Sequence, residues 1–207
     1  MHSPVDDKTI LDATRHWLLR AVIGLNLCPF AKNVYVKNQI RYVVSRACKD
    51  PEILDDLETE LRYLEAADPA QLDTTLLIIP DALNDFDDYN GFLPRADRIL
   101  KRMRLTGVLQ IASFHPQYCF ADSTPEDIEN YTNRAPYPIL HLLRESSIAN
   151  GILAFPDAAV IYERNQETLR QLGLNGWETW MGHQADHDRQ SSLQAMNKGS
   201  TEKPPPG

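Results

Sequence analysis

The sequence predicts an α/β protein: a small, mainly parallel three- to four-stranded sheet covered by helices, with an α+β arrangement as the alternative. Three observations carry this expectation. Short apolar or β-branched runs at 40–45, 74–79 and 108–114 read as strands. Amphipathic helical stretches separate them, which gives a β-α-β-α-β order. Right-handed crossovers between successive strands then favour parallel pairing, with an antiparallel edge strand at 40–45 left open.

Taken in order, Ser3-Pro4-Val5-Asp6 reads as a helix start, with Ser3 as cap and Pro4 in the first turn. Ile10, Ala13, Trp17, Leu18, Ala21, Val22 and Leu25 then recur at helical spacing, and the helix should end near Gly24–Asn26, ahead of Pro29. After the first strand, Asp50-Pro51-Glu52 opens a helix with Ile53, Leu54, Leu57, Leu61 and Leu64 on its apolar face. Asp68-Pro69 closes it, and Thr74–Ile79 reads as a buried strand. Phe92–Arg104 reads as a helix ended by Gly107, and Val108–Phe114 as a further buried strand. Residues 115–137 are irregular, with a short helix expected over Pro125–Tyr131 capped by Thr124. Pro138–Ser147 and Asp157–Leu172 read as helices. Residues 1–181 thus form one α/β domain. Residues 182–207 form a polar tail, ending Lys203-Pro-Pro-Pro-Gly207, with too little apolar surface to offset its ordering entropy.

Charge narrows the function classes. The net charge of −8 argues against a nucleic-acid partner and against docking on an anionic membrane face. Its distribution is uneven. Thirteen acids face a single base, Arg62, between Asp50 and Asp88, whereas Arg95, Arg98, Lys101, Arg102 and Arg104 cluster just beyond. These are either two helix faces of opposite sign that complement each other or a basic patch that holds a small anion. Cys28, Cys48 and Cys119 are too few and too scattered for a disulfide framework. The opening segment lacks the pattern of a signal peptide, and no run approaches the roughly 20 apolar residues of a membrane span. A reducing cytosol is the expected compartment. The oligomeric state is not legible.

Ligands of open α/β sheets gather beyond the carboxyl ends of the strands, which here are Pro80-Asp81 and His115-Pro116. The long loop at 115–137 leaves from the second, and irregular loops of that length are often functional. His115, at the end of an apolar strand, is either a neutral acid, base or ligand or a histidine bonded to its own loop. Cys28, in Asn26-Leu-Cys-Pro-Phe30, is either an exposed thiol activated by a helix end or cation, or an inert core cysteine. Arg134, in Asn133-Arg-Ala-Pro-Tyr137, either clamps a carboxylate or phosphate or binds loop carbonyls. His141 and Glu145 are four apart. With Cys28 and His115 they form a weak metal signal. Asp85-Phe-Asp-Asp-Tyr-Asn-Gly91 places its glycine one position late for a calcium loop and Ala96 where the loop needs glutamate, so it reads as a helix-capping segment. His183 and His187 are further candidate chelators in the polar tail. The chain lacks the glycine-rich nucleotide motifs, Gly-x-Ser-x-Gly and His-Glu-x-x-His, and names no cofactor.

Trp17, Gly24-Leu-Asn-Leu-Cys-Pro-Phe-Ala31, Phe114-His-Pro-Gln-Tyr118, Asn130-Tyr-Thr-Asn-Arg134 and Pro136-Tyr-Pro-Ile-Leu-His-Leu-Leu-Arg-Glu145 are similar to signature segments of the bacterial domain-of-unknown-function family 1415. The resemblance spans about residues 5–180. It implies no activity, and it places Cys28, His115, Asn133, Arg134 and His141 inside those segments. Cys119 departs from the polar residue, such as glutamine, expected in relatives, which weakens any metal scheme built on it.

Three functions follow as expectations, in this order. The first is an enzyme acting on a small anionic metabolite. Its catalytic residues are Cys28, His115 and His141, with Cys28 as nucleophile or acid/base thiol and His115 as its partner, and Asn133, Arg134 and Tyr137 bind substrate. The second is a non-catalytic ligand-binding or interaction module. The third is a metal-binding protein using Cys28, His115 and His141.

Overall fold

The computed structural model describes residues 5–154 and 158–198, with side-chain surroundings left aside at 150–159 and 183–198. The Ser3-Pro4 cap and the start of the last helix at Asp157 lie outside the described residues, as do the side chains of His183 and His187.

The first helix, α1 (Asp7–Trp17), is capped by Asp6, whose carboxylate accepts the Thr9 N–H at 3.0 Å. It runs on as a π-helical segment, Leu18–Gly24, and the chain turns at Asn26 with φ of 55°. A short helix not anticipated from the sequence, α2 (Ala31–Val36), leads into β1 (Ile40–Val44). Then come α3 (Asp50–Ala66), β2 (Thr74–Ile78), α4 (Phe86–Arg102) and β3 (Leu109–Phe114). Helix α4 begins six residues before the expected Phe92, because Asp85 caps it by accepting from the Asp87 and Asp88 amides. The acidic segment is therefore the helix cap that its spacing indicated.

The stretch expected to be helical at 138–147 is a strand, β4 (Ile139–Arg144), followed by α5 (Glu145–Ala154). The run Ile139–Leu143 is apolar apart from His141, and periodicity alone does not separate so short an apolar run from a buried helix. The expected short helix over 125–131 is a 3₁₀ turn at Ile128–Thr132. The Thr124 amide donates to Asp127 Oδ2 there, so Thr124 is not the cap.

The fold is α/β, with sheet order β1-β2-β4-β3. β1 and β2 pair in parallel, while β4 pairs antiparallel with both β2 and β3. β1, β2 and β3 therefore share a direction, as expected, but β4 inserts between two of them. The sheet is mixed rather than mainly parallel, and the misread segment at 138–147 accounts for the difference.

Strand alternation divides the core. Leu77 and Ile79 of the β2 segment, Leu140 and Leu142 of β4, and Leu109 of β3 pack with α3 and α4 through Ile53, Leu57, Leu61, Leu64, Phe92 and Ala96. Each of the larger of these buried side chains, leucine, isoleucine and phenylalanine, contributes about 1.5–3 kcal/mol relative to exposure. Arg95–Asp50 at 2.6 Å and Arg102–Glu58 join the two helices, so opposite-sign faces do complement each other. The opposite face of the sheet meets α1: Trp17 lies edge-on to Phe114 at 5.1 Å, and the Arg15 guanidinium rests 5.0 Å from the Tyr42 ring centroid.

The last helix, α6 (Ala158–Lys198), is interrupted at Gly173, which takes φ 63° and ψ 173°. The chain divides into two compact units just before this point, after Gln171. No helix among the described residues is long and apolar enough to cross a membrane.

Candidate functional site

The loop after β3 is tied together by its own polar side chains. His115 is buried, with its ring among Phe86 and Tyr89 of α4 at 5.4 and 5.1 Å between centroids. Its Nε2 lies 3.0 Å from the Leu83 carbonyl, and its Nδ1 accepts the Gln117 amide at 3.0 Å. Both nitrogens are thus engaged by backbone, Nε2 as donor and Nδ1 as acceptor. Burial lowers the ring's pKa against the opposing pull of the Leu83 carbonyl and Asp85, so it stays neutral.

Arg134 donates from Nε to the Tyr118 carbonyl at 3.1 Å and from Nη2 to the Pro125 carbonyl at 2.6 Å, with its guanidinium 4.5 Å from the Tyr131 ring centroid. It spans the loop as a brace. Asn133 donates to the Ser113 carbonyl at 3.2 Å, and Tyr137 is partly buried at the entry to β4. A residue not singled out from the sequence, Asn130, is the loop's buried knot. Its Oδ1 accepts from the Phe120 amide and the Ser123 hydroxyl, and its Nδ2 donates to the Thr124 carbonyl at 2.7 Å.

Cys28 follows the π-helical segment, its amide donating to the Val22 carbonyl at 3.2 Å. The thiol is partly buried, and burial pushes its pKa up although the Phe30 and Ala31 amides pull the other way. Among the described residues, no hydrogen bond or ring contact joins Cys28 to His115, Arg134 or His141. His115 packs on the α4 side of the sheet, whereas Phe114, beside it in sequence, packs on the α1 side against Trp17. No group of three or more His, Cys, Asp or Glu among the described residues is placed to hold a metal ion, so Cys28, His115 and His141 form no ligand set.

His141 stands apart from the others. It occupies the middle of β4 and points to the α1 side, 6.0 Å from the Phe114 ring centroid, and is only partly buried. The Thr74 hydroxyl donates to the Leu142 carbonyl at 2.5 Å and lies 2.7 Å from His141 Nε2. A hydroxyl has a single proton. With that proton on Leu142, Thr74 offers His141 a lone pair, and Nε2 carries the ring proton. Nδ1 is then a bare acceptor with no hydrogen-bond partner among the described residues. Burial pushes the ring's pKa down to about 4, so the neutral form prevails near pH 7.

Register places Tyr42, Leu76, His141 and Ala112 in one row across the four strands. Tyr42 ends this row with a buried hydroxyl that has no hydrogen-bond partner among the described residues, and burial raises its pKa to about 12. A buried polar group without a partner is unusual and calls for an explanation. Thr74 and Tyr42 escape a reading of the sequence because their relation to His141 exists only once 139–144 is a strand.

Residues 9–179 match the model of a family described as protein of unknown function (DUF1415), so the chain belongs to that family. No curated protein and no solved structure matches it.

Proposed function

We propose that this member of the DUF1415 family is a small-molecule-binding domain, with its ligand seated on the α1-covered face of the sheet against His141. The observation that carries this reading is the fixed imidazole: Thr74 commits Nε2 and leaves Nδ1 as an unused acceptor on a partly buried ring. The unpartnered Tyr42 hydroxyl in the same row supports it. A thiol enzyme built on Cys28, His115 and Arg134 has less in its favour. The thiol is protonated more firmly than a free cysteine, both His115 nitrogens are occupied, and the guanidinium braces a loop. We place the protein in the cytosol, where its three unpaired cysteines remain reduced.

A fragment screen by ligand-observed NMR on the full chain tests the reading. Fragments that bind should perturb the ring signals of His141, Trp17 and Phe114, lose binding in His141→Phe, and be recovered chemically unchanged. Binding confined to the 115–137 loop or to Cys28, or turnover of a bound fragment, overturns it.

A further inference from the structure

We infer that the His141 site selects an uncharged molecule with a flat apolar body and one hydrogen-bond donor, of the amide, hydroxyl or azole N–H type. The inference rests on the site proposed above and adds its chemical selectivity. The Thr74 hydroxyl proton is spent on the Leu142 carbonyl at 2.5 Å, which forces His141 to present Nδ1 as a lone pair. A lone pair in a partly desolvated site rewards a donor and repels an anion. The row Tyr42, Leu76, His141 and Ala112 contains no formally charged side chain. The Arg15 guanidinium lies 5.0 Å from the Tyr42 ring centroid and pairs with Asp12 at 3.5 Å. Phe114 supplies an aromatic ring 6.0 Å from the imidazole, with Trp17 packed edge-on against it. The Tyr42 hydroxyl can donate or accept, so it tolerates either polarity at the far end of a ligand.

The test uses four probes on the ¹⁵N-labelled full chain at pH 7: benzamide and phenol as uncharged donors, anisole as an uncharged ring without a donor, and benzoate as an anion. The free protein should show the Nε2–H tautomer of His141. Benzamide and phenol should shift Nδ1 saturably, with anisole and benzoate at least about tenfold weaker. Thr74→Val should mix the tautomers and shrink the donor preference below about threefold. The wild-type tautomer decides the geometry even if that variant does not fold. An Nδ1–H tautomer, benzoate or anisole binding as well as benzamide, or no response of His141 to any probe overturns the inference. A fragment-screen ligand at His141 that is anionic or lacks a donor leaves the site standing and removes only its selectivity. Ligands found only elsewhere remove the site itself.

Discussion

Thr74 Oγ1 and His141 Nε2 meet at 2.7 Å diagonally across the β2–β4 ladder, two residues from being directly paired. This contact sets the tautomer of a ring that burial keeps neutral, and the neutral ring has a consequence for stability against pH.

The folded-state pKa of His141 lies near 4, against 6.5 for the free side chain. Below pH 6.5 the unfolded chain takes up a proton that the folded ring refuses. The stabilising contribution is therefore complete above pH 6.5 and disappears as pH falls toward 4, at about 1.4 kcal/mol per pH unit. His115 acts in the same direction. Urea denaturation of wild type and His141→Gln should show a shallower acid decline for the variant, by about 2 kcal/mol between pH 6.5 and 5. Glutamine keeps a donor toward Thr74 without titrating. Parallel declines would show that the ring protonates freely in the folded state.

Arg144 closes β4 on the opposite side from this site. It is buried and donates to the carbonyls of Leu64 and Ala67 at the end of α3 and of Leu72 in the loop before β2. The Leu64 and Ala67 carbonyls, at the helix end, have no intrahelical donors, and a guanidinium suits their partial negative charge. Arg144→Met should cost about 3 kcal/mol or more in urea denaturation at unchanged m-value, with Arg144→Lys between it and wild type. A loss under about 1 kcal/mol for Arg144→Met would mean that water satisfies these carbonyls.

Local signals in the sequence located most elements because they act over a few residues. The Asp85 cap, the Leu57–Leu61–Leu64 stripe and the β-branched strand at 40–44 each declare themselves within one or two turns of chain. β4 did not, since a short apolar run broken only by His141 fits a strand and a buried helix equally well. That single misreading hid both the antiparallel insertion and the row from Tyr42 to His141. His115, Asn133 and Arg134 were legible as special residues. Their segments carry the family resemblance, and in the structure they hold a long loop together through backbone carbonyls and amides. Whether a polar side chain serves a ligand or its own loop depends on which carbonyls come within reach, and contacts as distant as His115 to Leu83 are not encoded in spacing.

The three thiols separate the two leading functions by reactivity. Cys48 is exposed, whereas Cys28 is partly buried with its pKa raised by that burial. Only the thiolate attacks an alkylating agent, so depressed ionisation and restricted access both slow Cys28. With iodoacetamide at pH 7.5 and peptide-resolved mass spectrometry, Cys48 should be modified first and Cys28 at least about tenfold more slowly. In urea the two rates should converge. A nucleophilic Cys28 predicts the opposite order in the native protein, and labelling of Cys28 ahead of Cys48 would restore the thiol-enzyme reading over the binding domain proposed here.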